Sequence, residues 1–368
     1  MSNTLRSALR LLLAEGVGAK TFAALVHAFG SVEAAAEAGP GRWRTVKGVG
    51  PKTVAALDDV TEAVIDEEFA EAQRLGTQMF TPDDEAYPPA LKAICDPPPL
   101  LYVRGRLERE DAVSLGVVGS RRATHYGVEQ AERFGGLLAR AGLTVISGGA
   151  RGIDTAAHRG ALTAGGRTVA VMGCGLSHIY PPENEELFEQ IVAAGGALLS
   201  ELPMRTAVLA GNFPNRNRII SGLSLGTLVI EAGLPSGALI TARTAGEQGR
   251  EVFAVPGRVD SPASAGTHQL LRDGAILAAD LDDILNGLGE VGSQLEAGET
   301  NADATPAPSG LDATEQRLYE ALAERAMSMD ALSRRTGLSP AEIACSMTML
   351  TLKGVVTQRP GSIFERKR

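Results

Sequence analysis

Ser114-Leu115-Gly116-Val117-Val118-Gly119-Ser120-Arg121-Arg122 reads as a short buried strand that stops at a glycine and delivers two arginines. A compact apolar run bounded by a turn residue is the form of a strand covered on both faces. Similar runs recur at Thr144 to Ile146, Val169 to Met172, Leu198 to Leu199, Thr227 to Ile230 and Val252 to Val255, with helical patterns between them. Strands separated by helices imply right-handed crossovers and a parallel sheet. The expected centre is a doubly wound α/β domain over residues 77–287.

In an open parallel sheet, ligands collect at the C-terminal strand ends, where the turns into the helices lie. The turns here are unusual. The first is Gly119-Ser120-Arg121-Arg122 and the second is Ser147-Gly148-Gly149-Ala150-Arg151-Gly152-Ile153-Asp154. Glycine lets the backbone approach an anion, a helix N-terminus binds it, and arginine adds a bidentate fork to phosphate oxygens. Phe213-Pro214-Asn215-Arg216-Asn217-Arg218 adds two arginines, two amides and a ring, and Ser236-Gly237-Ala238 forms a fourth turn. Any one of these is ordinarily a plain strand-to-helix connection. Four on one sheet edge, three carrying arginine, point to an extended anionic ligand.

The whole chain is acidic, with net charge −9, which opposes a polyanionic partner. Counterion release, however, depends on the groups that touch phosphate rather than on the chain sum. With 44% hydrophobic and 21% charged residues the chain is an ordinary globular protein. No stretch approaches the roughly 18 apolar residues of a membrane span. The N-terminus lacks a cleavable signal's layout, so a cytoplasmic location with no membrane partner is expected. Cys95, Cys174 and Cys345 are odd in number and widely spaced, which argues against a disulfide framework or a zinc site and for buried thiols.

Working outward, Gly16-Val17-Gly18-Ala19-Lys20-Thr21 and Gly48-Val49-Gly50-Pro51-Lys52-Thr53 form an internal repeat in residues 1–76. It resembles the helix-hairpin-helix (SAM-like) motif, whose free N–H groups hold phosphate. A small helical packing domain that uses glycine for tight turns fits equally well. Residues 288–310, rich in Gly, Glu, Ser, Ala, Thr and Pro, read as a flexible linker. Residues 311–368 then read as a winged helix: helical patterns at Thr314 to Arg325, Met329 to Thr336 and Pro340 to Lys353, followed by a hairpin around Pro360-Gly361. Its partner is duplex DNA, another protein or the central domain itself.

Catalytic and cofactor signatures are thin. No Gly-x-x-x-x-Gly-Lys-Ser/Thr occurs and Gly173-Cys174-Gly175 lacks the third glycine of a dinucleotide fingerprint, so no cofactor is expected. Asp154 and His158 lie one helical turn apart without a third ligand, and no metal is assigned. One enzymatic alternative stands. Leu225-Gly226-Thr227-Leu228-Val229-Ile230-Glu231 resembles the Gly-Thr-x-x-Glu segment of lysine-decarboxylase-like nucleotide phosphoribohydrolases, whose glutamate is catalytic. Ser221-Gly222-Leu223-Ser224 does not keep the glycine pair that precedes it there.

The motifs in order, Gly119-Ser120-Arg121, Ser147 to Asp154, Ala157-His158, Phe213 to Gly222, Ser236-Gly237-Ala238 and Val255-Pro256-Gly257, are similar to those of the DprA/Smf family of DNA-processing proteins. The resemblance implies a Rossmann-like domain that binds single-stranded DNA without catalysis, dimerises, protects incoming strands in natural transformation and loads the recombinase RecA. It also implies that Arg121, Arg216 and Arg218 line one phosphate pocket with Phe213 as the stacking ring. The groove would extend to Arg122, Ser147, Gly148, Gly149, Arg151, Asn215, Asn217, Ser236 and Gly237. Arg151 has an alternative role, bracing its loop through Asp154. The apolar stretch from Gln269-Leu270-Leu271 to Ile276-Leu277 is the candidate dimer surface or, equally, core.

Overall fold

The computed structural model describes residues 3–295, 311–322, 327–353, 355–359 and 363–366. The chain divides into two compact units, Met1–Gly298 and Glu299–Arg368. Six helices open the first: α1 (Asn3–Leu12), α2 (Ala19–Phe29), α3 (Val32–Glu37), α4 (Pro40–Trp43), α5 (Pro51–Asp58) and α6 (Glu62–Arg74). Both halves of the glycine repeat do the same thing. Gly16 and Gly48 turn the chain at positive φ, Gly18 and Gly50 sit just before α2 and α5, and the intervening Val17 and Val49 are buried. Trp43 is buried in this helical core and donates its indole N–H to the Ala35 carbonyl at 2.7 Å.

The α/β domain then runs β1 (Thr77–Phe80), α7 (Pro89–Lys92), β2 (Leu101–Gly105), β3 (Ser114–Val118), α8 (His125–Arg140), β4 (Thr144–Ser147), α9 (Ile153–Thr163) and β5 (Thr168–Val171). It continues with α10 (Glu185–Ala193), β6 (Ala197–Ser200), α11 (Asn212–Leu223), β7 (Gly226–Val229), α12 (Gly237–Glu247), β8 (Glu251–Ala254), α13 (Ala265–Arg272), β9 (Ile276–Leu277) and α14 (Leu281–Gly287). The nine strands lie in the order β1-β2-β6-β5-β4-β3-β7-β8-β9. From β6 to β9 all pairs are parallel. β3 to β7 are buried along their whole length, which is why they read as continuous apolar runs.

Two features correct the reading from sequence. The proline-rich crossing from Pro82 to Pro99 leads into β2, and β1 and β2 add two antiparallel strands to the expected parallel sheet. A four-residue strand such as Thr77–Phe80 carries too little periodicity to be seen alone. Of the cysteines, Cys174 is buried, whereas Cys95 and Cys345 are exposed. In the 269–277 stretch, Leu270 packs on the core and Leu277 is exposed on β9, an edge strand.

Sequence order along the sheet reverses at β3: β4, β5 and β6 follow on one side, β7, β8 and β9 on the other. The C-terminal ends of β3 and β7 therefore flank a topological switch point, the crevice where open α/β sheets bind ligands.

The second unit contains α15 (Ala313–Ala321), β10 (Met327–Ser328), α16 (Met329–Thr336), α17 (Pro340–Leu352), β11 (Val356–Arg359) and β12 (Ile363–Arg366). Its strands pair in the order β10-β12-β11, and three helices with a small antiparallel sheet make a winged helix. Ser339 and Glu342 close a capping box at the start of α17, as their spacing predicts. Leu318, Leu332, Ile343, Met347 and Phe364 form its own core. Of the expected linker, residues 296–310 lie outside the described residues, as does Arg325. No helix among the described residues is long and apolar enough to cross a membrane.

Candidate nucleic-acid interface

At the switch point lies a cavity of about 530 Å3. Three segments build its wall: Val118 to Arg122 after β3, Gly233 and Pro235 to Ala238 after β7, and Phe213, Pro214, Arg216 and Asn217 on α11. The turn after β3 is held by its backbone. Ser120 N–H donates to the Glu231 carbonyl at 2.8 Å, Ile153 N–H donates to the Ser120 carbonyl at 3.2 Å, and the Arg122 N–H donates to Ser120 Oγ at 3.1 Å. Gly152 is required opposite: its φ is 77°, and a Cβ there would collide with the Ser120 carbonyl. This rigid turn presents Arg121 and Arg122 as exposed side chains, and neither forms an ion pair within 4.0 Å of a carboxylate among the described residues, although Arg121 acts at longer range on Asp154.

The Arg121 guanidinium lies over the face of Phe213, 4.8 Å from the ring centroid. A ring face orients the cation without neutralising it, as a carboxylate would. Phe213 is 9% exposed, with Tyr180 tilted against it at 5.5 Å and no room for a Cβ on Gly173 beside it. The ring expected to stack on a base is covered here by the Arg121 guanidinium and by Tyr180.

The two arginines of α11 differ again from expectation. Arg216 lines the cavity floor but is only 4% exposed, and it donates to the carbonyls of Gly148, at 2.7 Å, and Val171. Burial pushes its pKa down to about 10. Gly148 belongs here because a Cβ would sit within 2.7 Å of both the Arg216 guanidinium and Asp154 Oδ2. Asp154 accepts from the Ala150 N–H at 3.2 Å, and burial raises its carboxyl to about 6 against the opposing pull of Arg216 and Arg121. Arg218 does not line the cavity. It pairs with Glu201 at 2.6 Å and Asp96 at 3.0 Å, because a two-residue step along a helix turns the side chain to the opposite face.

Other expected residues divide in the same way. Asn217, Ser236 and Gly237 line the cavity; Ser236 caps α12 by accepting the Ala238 N–H at 3.2 Å. Asn215 is exposed outside it. Ser147 is fully buried and donates to the Val117 carbonyl at 2.6 Å, and Gly149 packs against Phe188. Arg151 pairs with Glu183 rather than with Asp154, so it braces a different loop. Ala150 and Asp154 also line the cavity; Ala210, Ile220, Gly233 and Thr241 do so too and were not legible, since nothing in a lone small or aliphatic residue marks a cavity wall.

The metal and enzyme alternatives meet specific partners. The hydroxyl of Thr168 donates to the Val145 carbonyl at 2.7 Å, so His158 Nδ1–H donates to Thr168 Oγ1, also at 2.7 Å. Burial holds this imidazole neutral, with its pKa down to about 3. No cluster of three potential ligand side chains occurs among the described residues. Glu231 is 3% exposed and accepts from both the N–H and the hydroxyl of Thr124, at 3.0 and 2.5 Å. Thr124 caps α8, so Glu231 anchors a helix start.

Sequence comparison agrees with this architecture. The pattern of DNA recombination-mediator protein A matches residues 78–289, that of the DprA winged helix domain residues 302–362, and that of a SAM-like helix-hairpin-helix tandem residues 8–57. The Smf protein of Escherichia coli is 41% identical over 290 residues, covering 79% of this chain and 78% of its own. The crystal structure of DNA processing protein A from Streptococcus pneumoniae superposes with a TM-score of 0.68 at 34% identity, covering 78% of this chain and 98% of that one. DNA processing protein A from Helicobacter pylori, studied for its single-stranded DNA binding mode, superposes with a TM-score of 0.51 at 30% identity, covering 58% of this chain and 95% of that one. The chain described here belongs to the DprA family of DNA recombination mediators.

Proposed function

We propose that this chain binds single-stranded DNA at the switch-point cavity and acts as a binding protein rather than an enzyme. The observation that carries the reading is a pair of exposed guanidiniums, Arg121 and Arg122, without carboxylate partners among the described residues, on a rigid turn over a cavity in an acidic chain. Phosphate oxygens satisfy such cations, and the α12 N-terminus at Ser236 and Gly237 adds N–H donors. The strand-binding behaviour of the Helicobacter relative supports the same ligand. The contacts are then Gly119, Ser120, Arg121, Arg122, Asn217, Ser236 and Gly237, while Phe213, Arg216 and Asp154 form the frame. Glu231 is engaged by Thr124, which leaves the phosphoribohydrolase reading without a free catalytic carboxylate.

As a recombination mediator the chain would deliver the bound strand to a RecA-type recombinase, as a homodimer in the cytoplasm, with the winged helix available to duplex DNA. The test is fluorescence anisotropy with single-stranded and duplex oligonucleotides over a salt series, on the full chain and on Arg121→Glu. The variant loses the single strand and keeps its thermal transition; unchanged affinity would refute the assignment. Faster nucleation of RecA filaments on the single strand, lost in the same variant, tests the delivery step.

A further inference from the structure

The cavity supplies cations for phosphates but no free aromatic face for bases. Phe213, the single aromatic residue of its lining, has its ring covered by Arg121 and Tyr180. Two other large, exposed apolar side chains adjoin the lining in sequence. Leu209 is 58% exposed in the segment between β6 and α11, beside the lining residue Ala210. Leu234 is 60% exposed in the turn after β7, between the lining residues Gly233 and Pro235. A lone exposed leucine needs no explanation. Two of them, each next to lining residues on a separate loop, with Pro214 and Pro235 in the wall, set apolar side chains beside a cationic cavity.

A single strand is a polymer of matching character, with an anionic backbone and apolar ring faces. We propose that Leu209 and Leu234 pack against the bases of a strand whose phosphates lie at Arg121 and Arg122. This rests on the reading of the cavity as the strand-binding site. Leucine contacts are indifferent to base identity, and they replace the stacking that a chain with only 4% aromatic residues lacks here. They also divide the binding energy into two separable parts. Arginine contacts release counterions and are salt-dependent, whereas apolar contacts with bases are not.

The experiment is a salt series of anisotropy titrations with labelled oligothymidylate on the full chain, Leu209→Ser, Leu234→Ser and the double variant. Both side chains are exposed, so folding is not at stake. The double variant is expected to bind about tenfold more weakly, with the same slope of log affinity against log salt. Arg121→Ala is expected to lower that slope. On an abasic strand of equal length, the wild type and double variant should bind alike. Leu209→Trp adds a reporter: the native Trp43 is buried among the N-terminal helices, so quenching on titration reports the new indole.

Unchanged affinity in the double variant, alongside loss in Arg121→Glu, would overturn this proposal and leave the phosphate site standing. A loss that accompanies dissociation of a dimer in sedimentation would assign the leucines to contact between copies and would equally overturn it. Retained binding in Arg121→Glu would instead remove the underlying site.

Discussion

The turn after β3 and helix α11 each carry two arginines, yet they use them in opposite ways. Arg121 and Arg122 leave a backbone-locked turn and stay exposed without carboxylate partners among the described residues. Arg216 and Arg218 leave a helix packed on the sheet, where one is enclosed by carbonyls beside Asp154 and the other by Glu201 and Asp96. Arginine count therefore says nothing of role. What separates a ligand-binding arginine from a structural one is whether the fold has already satisfied its five donors.

The largest effect should come from breaking that division at its exposed end. Arg121→Glu places a carboxylate at the proposed phosphate contact, and single-strand affinity should fall by about 100-fold or more while the melting temperature stays within roughly 2 °C. Anisotropy and a thermal melt decide it. A folded Arg121→Glu protein with normal affinity would erase the contrast between the two regions.

At the buried end the loss should appear in stability. Arg216→Ala leaves the Asp154 carboxylate enclosed beside vacated carbonyls and is expected to cost about 3–5 kcal/mol, measured by urea denaturation. Adding Asp154→Ala should restore part of it, because the uncompensated charge is then gone. If Arg216→Ala unfolds like the wild type but fails to bind, Arg216 is a contact and the comparison is wrong. Arg218→Ala is the milder case, since its partner Asp96 retains access to water; roughly 2–3 kcal/mol is expected, with affinity of the folded protein within about twofold.

The smallest expected effect sharpens the comparison through pH. Asp154 sits beneath the cavity with its carboxyl raised to about 6, chiefly by burial, and faces Arg216 and Arg121. Protonation removes a negative charge near the proposed phosphate site, so affinity should rise a few-fold as pH falls from about 8 to about 5. The sign for stability follows the same logic. A raised carboxyl favours folding at low pH and loses that contribution as pH rises through about 6. Asp154→Asn should flatten the affinity profile, and a profile unchanged by that variant would place the titration elsewhere.

Much of this fold was legible because buried parallel strands and glycine turns leave strong local signals. Leu115 to Val118 is apolar since helices cover both its faces, and Gly119 must end it where Ile153 and the Glu231 carbonyl crowd the chain. β1 and β2 were missed because β1 joins the sheet only through β2, whose antiparallel pairing with β6 is a long-range choice made by a partner far along the chain. Half of the candidate site was legible for a similar reason. Arg121, Ser236 and Gly237 lie in turns that face solvent by construction, whereas the fates of Arg216 and Arg218 hang on Val171, Glu201 and Asp96, which no local pattern connects to them.

By itself, the sequence determined the alternation of strand and helix, the winged helix after the linker, and the identity of the turns at one sheet edge. Backbone conformation and hydrophobic period act over a few residues, and that is the range over which sequence speaks directly. Only the tertiary structure decided which cations stay exposed, that Arg121 lies over the Phe213 ring, and that the segments next to Leu209 and Leu234 wall one cavity. Burial and charge pairing depend on groups far apart in the chain, and those meet only once it has folded.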